Sequence, residues 1–201
     1  MDENICSQWY LFFMRKEIEF SQKVSSSLED QGDKALAFLN FGEEMEGNRL
    51  DPAVPAFKAL HLYQDMDDKN GIAQAAVLIA RYLFSIDKFE HARRYMNVGL
   101  KALEGSEGNQ KLKSYILGKL GAINFQLEQY EASINAYMEC VELLEALGDL
   151  NEIPKIYAAM GFIYQDLDKN DEANQLFQKA ADVAMLAGNE NEANRYISLI
   201  L

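Results

Sequence analysis

Two segments of the sequence carry the same pattern of small and aromatic residues, offset by 40 positions. They cover 117–148 and 157–188. The matched positions are Gly121 with Gly161, Ser133 with Ala173, Tyr137 with Phe177, Cys140 with Ala180, and Gly148 with Gly188. An internal period of this length means that one unit cannot bury its apolar face alone and must stack on its neighbours. We therefore expect one solenoid rather than two globular domains.

Glycine-containing turn signals divide the sequence into units. They are Gly32-Asp33, Asn70-Gly71, Gly108-Asn109, Gly148-Asp149 and Gly188-Asn189. Glycine can end a helix in the left-handed conformation, and a following Asp or Asn can cap the next helix. Between these signals apolar residues recur at helical spacing, without the alternation typical of strands. We expect an all-α solenoid of about ten helices. Its units are a capping helix at 3–28, helix pairs at 33–70, 71–107, 109–147 and 149–187, and a C-terminal helix at 190–201.

The two ends of this arrangement are less regular than its middle. The first helix carries five large apolar residues that would cover the open end of the stack, namely Trp9, Phe12, Phe13, Ile18 and Phe20. In the first pair, either Pro52 or Pro55 opens the second helix, because proline is tolerated only in a first helical turn. Pro55 is favoured, since Ala56, Leu60 and Tyr63 then stand in the same register to Gly71 as Ser133, Tyr137 and Cys140 do to Gly148.

Composition limits the partners and the compartment. The chain has 32 acidic and 19 basic residues and a net charge of −13. Such a surface repels nucleic acid and anionic lipid, so neither is an expected partner. The sequence has no signal-peptide pattern and no transmembrane stretch. Cys6 and Cys140 are far apart and are expected to be reduced core residues of a cytoplasmic protein.

The sequence contains no recognisable catalytic or metal-binding motif. The two histidines, His61 and His91, have no neighbouring ligand pattern. The acidic turns at 65–71 and 166–170 lack the bidentate Glu of a calcium loop. We expect no catalytic residue, no metal and no cofactor.

The helix pairs resemble tetratricopeptide repeats. In the last pair the matching residues are Tyr157, Met160, Gly161, Tyr164, Ala173, Phe177 and Ala180, and in the preceding pair they are Leu117, Leu120, Gly121, Ser133, Tyr137 and Cys140. The resemblance is looser in the first two pairs, and it implies a right-handed superhelix. Units near 40 residues, rather than the common unit of about 34, are similar to the extended repeats of bacterial quorum-peptide receptors, MalT-type regulators, Pins-type adaptors and kinesin light chains.

The same resemblance implies a binding function. In this family the first helix of each pair lines a concave surface that holds a protein or peptide. Carried over by position, the candidate groove residues are Gln74, Val77, Arg81, Phe84, Tyr115, Gly118, Ala122, Phe125, Gln126, Lys155, Ala158, Phe162 and Gln165. Phe125 and Phe162 could equally be core residues. Arg81 and Lys155 could attract a carboxylate of the ligand.

Two hypotheses on function stay open. The first is a non-catalytic scaffold that binds a protein or peptide in the concave groove. The second is a sensory or regulatory part of a larger signalling protein. The apolar ending at 197–201 motivates the second, because it implies either a truncated repeat or self-association through the C-terminal helix.

Overall fold

The structure is a computed structural model that describes residues 3–48 and 50–200, with side chains described for 15–48, 50–106 and 108–200. Within these ranges the chain is built from ten α-helices and contains no strand. They are α1 (Glu3–Ser27), α2 (Gln31–Gly47), α3 (Ala53–Asp65), α4 (Lys69–Ser85), α5 (Phe89–Ala102), α6 (Gln110–Gln126), α7 (Tyr130–Ala146), α8 (Ile153–Asp166), α9 (Asn170–Leu186) and α10 (Glu190–Ile197). A 3₁₀ turn, Glu107–Asn109, precedes α6. The expected all-α class is confirmed.

The helices pack as antiparallel pairs that follow one another along the chain. The closest partners are α2 with α3, α4 with α5, α6 with α7, and α8 with α9, while α10 packs on α9. No described helix combines the length and the apolar character needed to cross a lipid bilayer.

Six helices end with the same hydrogen-bonded cap. The second residue after each of these helices has positive φ, and the next N–H donates to the carbonyl five residues earlier, as from Gln129 to Asn124 at 2.9 Å. This is the Schellman arrangement, which satisfies carbonyls that the helix end leaves free. The residues with positive φ are Asp67, Asp87, Glu128, Gly148, Asp168 and Gly188.

The glycine turn signals are correct as helix ends only at Gly148 and Gly188. Gly32 and Gly71 instead lie in the first turns of α2 and α4, and Gly108 lies in the 3₁₀ turn. Asp67 takes the left-handed position before α4, and Asp68 caps that helix by accepting the Gly71 N–H at 3.0 Å. The acidic turn residues therefore shape and cap helix ends.

The core depends on glycines that let an aromatic ring lie against the neighbouring backbone. The Tyr137 ring on α7 lies over Gly121 of α6, and the Phe177 ring on α9 lies over Gly161 of α8. Next to the first contact, the buried Ser133 hydroxyl donates to the Gly121 carbonyl at 2.7 Å. These contacts repeat at the sequence period, so the repeat pattern encodes the packing of one helix against the other.

The buried residues form three adjoining clusters that extend along the stack. One joins α1 to α4, the largest joins α4 to α8, and the third joins α8 to α10. Buried Cys140 is a free cysteine, as expected, and its thiol donates to the Ser114 carbonyl at 3.0 Å.

The N-terminal helix packs on α2 through Phe20. Its ring stacks on Phe41 with centroids 4.0 Å apart and meets the edge of Phe38 at 6.0 Å. Ile18 is 53% exposed. The other residues expected in the cap, Trp9, Phe12 and Phe13, and the side chain of Cys6 lie outside the described side chains.

The second helix of the first pair begins at Ala53, directly after Pro52. The preference for Pro55 as its opening residue is therefore wrong. Pro55 is buried within the first helical turn, where its missing N–H costs no hydrogen bond.

Candidate functional site: the inner groove

Two adjoining cavities form a groove along the first helices of the pairs. The larger has a volume of about 370 Å³ and lies between α6 and α8, and the smaller, of about 230 Å³, lies between α4 and α6. Both are lined by Lys119 and Ala122. They form one channel, here called the inner groove, which extends from Glu46 on α2 to Ala159 on α8.

Small residues on two helices keep the inner groove open. Gly118 and Ala122 line it on α6, and Ala159 faces them from α8. The floor comes from α7, through Tyr137, Cys140 and Leu144. The same helix pairing that builds the core therefore leaves a recess with an apolar floor.

Helices α4 and α6, which line the inner groove, are basic in a chain that is acidic as a whole. Helix α6 has three lysines and no acidic residue, and α4 has two basic residues and no acidic one. Helix α8 adds one of each. The basic residues of these helices are Lys69, Arg81, Lys111, Lys113, Lys119 and Lys155. In contrast, α7 has four acidic residues and no basic one. Charge is therefore divided between the two helices of this pair, α6 and α7.

Two of the basic groups in the groove already have acidic partners. Arg81 pairs with Glu46, and Lys155 Nζ lies 2.8 Å from Glu152 Oε1. The hydrogen bond from Lys155 to Glu152 raises the pKa of that lysine. Lys111 and Lys119 have no ion pair among the described side chains, and Lys119 Nζ lies 5.3 Å from the centre of the Tyr115 ring. These two ammonium groups are available to an anionic ligand.

The reactive groups of the groove are held in unreactive forms. Burial raises the pKa of the Cys140 thiol to about 11 and that of the Tyr137 hydroxyl to about 12. Both groups are therefore neutral near pH 7, and a neutral thiol is a poor nucleophile. His61 and His91 are exposed. Among the described residues no group of histidine, cysteine and carboxylate side chains could hold a metal ion.

The structure brings four of the nine main candidate residues into the inner groove. Arg81, Phe84, Tyr115 and Lys155 line it. The five others, Gln74, Phe125, Gln126, Phe162 and Gln165, do not line either of its cavities.

Phe125 and Phe162 differ in their surroundings. Phe125 is half-buried on the main core, where its ring lies 6.1 Å from that of Tyr130 at the start of α7. Phe162 is 42% exposed and meets the edge of Phe177 at 5.2 Å. Both lie toward the C-terminal ends of their helices, beyond the groove lining.

Several lining residues were not among the sequence candidates. They are Glu46, Met96, Lys111, Ser114, Lys119, Ile123, Tyr137, Cys140, Leu144, Asp149, Glu152, Ile156 and Ala159. Lys111, Tyr115 and Lys119 follow one another at intervals of four residues and so share a helix face. That spacing, together with the absence of acidic residues from α6, is the sequence signal that identifies this wall.

The comparisons with known proteins agree with this geometry. The sequence model of the tetratricopeptide repeat family matches residues 114–152 and 154–184, which cover most of the two helix pairs around the larger cavity. These two segments of the chain match tetratricopeptide repeats. The repeats are the units that the offset of 40 residues identified.

Solved structures show the same fold across most of this repeat protein. The apo form of RapI superimposes with a TM-score of 0.75 at 15% identity, covering 94% of this chain and 74% of RapI. Aspartyl phosphate phosphatase F from Bacillus subtilis gives a TM-score of 0.73 at 19% identity, covering 84% of this chain and 45% of its own. At these identities the likeness concerns the fold alone.

Two further relatives are considerably longer than this repeat protein. A signal transduction ATPase from Pyrococcus horikoshii, described as having a tetratricopeptide repeat sensor, gives a TM-score of 0.73 at 18% identity, covering 92% of this chain and 29% of its own. Protein kinesin light chain-related 1 from Arabidopsis thaliana is 28% identical over 110 residues, which are 54% of this chain and 18% of that protein. The chain thus spans less than half the length of these two relatives and of phosphatase F.

Proposed function

We propose that this protein is a non-catalytic binding module that holds an acidic segment of another protein, or an acidic peptide, in the inner groove. The observation that carries the proposal is the wall formed by α6, which places Lys111 and Lys119 in the groove and has no acidic residue, in a chain of net charge −13. Carboxylates of a ligand would approach Lys111 and Lys119, whose ammonium groups have no ion pair among the described side chains.

The shape of the inner groove suits a segment that inserts separate side chains into its two cavities. Its floor is apolar, and its two cavities join at Ala122, so one extended or helical segment could place apolar residues in both. Peptide grooves commonly combine apolar pockets with a few charged groups that fix orientation. Tyr115 and Phe84 would supply aromatic contact area on either side.

A non-catalytic role agrees with the chemistry of the same groove. Its thiol and its floor tyrosine are neutral near pH 7, because burial raises the pKa of each. The hydrogen bond from Lys155 to Glu152 raises the pKa of Lys155, so this lysine stays charged. These groups suit recognition of charge better than proton transfer.

A binding titration tests this proposal. The probe is a fluorescein-labelled peptide of alternating glutamate and leucine, and anisotropy reports its binding. We expect Lys111→Gln with Lys119→Gln to weaken binding about tenfold, because each exposed charge contact contributes up to about 1 kcal/mol. The matched control is Lys69→Gln with Lys113→Gln, which removes the same charge from α4 and α6 outside the groove lining.

The Lys69→Gln, Lys113→Gln control distinguishes binding in the groove from attraction by net charge. Equal weakening by both double variants would mean that the peptide senses net charge only, and the groove assignment would be wrong. A further variant, Ala122→Phe, fills the point where the two cavities join and is expected to abolish binding while the helical circular dichroism signal is retained. Unchanged binding by that variant would also contradict the proposal.

A second candidate function is a sensor unit within a larger signalling protein. It is supported by the ATPase relative, whose description names a tetratricopeptide repeat sensor and of which this chain spans 29%. The test is the complete reading frame in the source genome. A fused output domain would support the sensor function, and a reading frame confined to residues 1–201 would contradict it.

A further inference from the structure

A second cavity lies on the other side of α8 from the inner groove. It has a volume of about 380 Å³ and is bounded by α7 and α9. On α8, Lys155 and Ala159 face the inner groove, whereas Tyr157, Met160 and Tyr164 line this second cavity. Residues two apart on a helix point about 200° apart. The cavity, here called the outer cleft, is therefore separate from the groove of the proposed function.

The outer cleft has an apolar floor and one exposed apolar edge. Ile134, Val141 and Leu176 contribute aliphatic surface from the two flanking helices. Met138 lines the cleft with 51% of its surface exposed. A methionine in this position adapts to the shape of an incoming apolar side chain.

The rim of the outer cleft is acidic. Glu142 and Glu145 lie on α7 and Glu172 lies on α9, and none of the three is in an ion pair among the described side chains. The one basic lining residue is Lys179. The rim therefore presents more negative charge than the protein itself neutralises.

Two tyrosine rings of the outer cleft already lie close to lysine ammonium groups of the same chain. Lys179 Nζ lies 5.8 Å from the centre of the Tyr157 ring, and Lys169 Nζ lies 5.8 Å from that of Tyr164. A second line of support is the pKa of Tyr157, which burial and then the charge of Glu145 raise. The Glu145 carboxylate thus acts on the same ring. Ring faces and carboxylates together form a suitable environment for an arginine or lysine side chain.

We propose that the outer cleft binds a basic segment of another protein, with an arginine or lysine between Glu145 and Tyr157 and an apolar neighbour on Met138. Charge complementarity identifies the occupant. A second copy of this chain is disfavoured, because each copy carries a net charge of −13. In the unbound protein Lys179 lies over the Tyr157 ring, and the cation of the partner would take this position on binding.

The test uses a fluorescein-labelled peptide of arginine and leucine at helical spacing, titrated into the whole chain. Glu142→Gln with Glu145→Gln is expected to weaken binding about tenfold, and Lys179→Ala is expected to strengthen it about threefold by removing the competing cation. The matched control is Glu131→Gln with Glu139→Gln, which removes the same charge from α7 outside the cleft lining. We expect that control to change binding less than twofold.

Three outcomes would overturn the proposal. The first is equal weakening by the control pair, which would show attraction to acidic surface in general. The second is a Lys179→Ala variant that binds no better than the parent chain. The third is self-association of the chain in sedimentation equilibrium that is lost in the Glu142→Gln, Glu145→Gln double variant. That result would assign the outer cleft to a second copy of the chain. The Lys111 and Lys119 variants of the inner groove should leave this binding unchanged, so the two sites fail or succeed independently.

Discussion

The contact between Gly121 and Tyr137 predicts a substitution that should be costly although it adds only one methyl group. A Cβ placed on Gly121 would lie 2.5 Å from Cδ1 and from Cε1 of the Tyr137 ring and 2.7 Å from its Cζ. Optimal carbon contacts are about 3.5–4.0 Å, so the ring would have to move by about 1 Å. Tyr137 is only 7% exposed.

The magnitude follows from two opposing terms. Overpacking of a core in this way costs about 1–3 kcal/mol. Replacing a helical glycine by alanine returns about 1 kcal/mol through backbone entropy and propensity. Gly121→Ala should therefore lower the free energy of unfolding by up to about 2 kcal/mol. Gly161→Ala should have a somewhat smaller effect, because the added Cβ would meet Phe177 at 2.6 Å and then at 3.0 Å.

Gly118→Ala is the matched control on the same helix. Its Cβ would lie 3.5 Å from the Cys140 Sγ, which is an ordinary contact. This variant keeps the propensity gain without the clash, so it should be as stable as the parent chain or more stable by up to about 1 kcal/mol. Urea unfolding followed by circular dichroism measures all three. If Gly121→Ala proved as stable as Gly118→Ala, the proposed helix–helix contact would be wrong.

The remaining predictions concern the caps and the titrating groups of the core. Gly148→Ala should lower the free energy of unfolding by about 1 kcal/mol, because Gly148 has a φ of +67°. Gly47→Ala should raise it by a few tenths of a kcal/mol or more, because the added Cβ meets no atom within 4 Å. A change of the same sign in both variants, measured by urea unfolding, would contradict the role of Gly148 in the helix cap. The raised pKa of Cys140 means that the fold favours the neutral thiol. This contribution is full below pH 9.0, the ordinary value, and is lost as pH rises toward about 11. Stability should fall by on the order of 2 kcal/mol over that interval, and Cys140→Ala should fall less. Cys140 should also react with a thiol reagent at pH 8 far more slowly than an exposed cysteine thiol, and a rate like that of the unfolded chain would contradict its burial.

The sequence predicts the fold well because the repeat pattern records the core contacts themselves. Gly121 and Tyr137 recur as Gly161 and Phe177, and each pair touches in the structure. The helix ends between units were predicted less well, because Gly71 lies in the first turn of α4 and Asp67 takes the left-handed position before that helix.

The position of the groove was predicted in part. The family pattern placed four residues in the groove that do line it, namely Arg81, Phe84, Tyr115 and Lys155. It also placed residues there that lie beyond the lining, near the C-terminal ends of α6 and α8. Phe125 shows why, since Tyr130 from the following turn packs near it, a contact that helical spacing alone does not encode. The pairing of Arg81 with Glu46 joins residues 35 positions apart, so it too depended on the tertiary structure.

The central claim is that an acidic ligand lies along α4, α6 and α8 and not along the acidic helices α7 and α9. The most direct measurement is paramagnetic broadening of assigned backbone amides by a spin-labelled glutamate–leucine peptide. We predict broadening of amides in α4, α6 and α8 around Arg81, Lys119 and Lys155, with α9 unaffected. Broadening centred on α7 and α9, or spread evenly over the chain, would contradict the account.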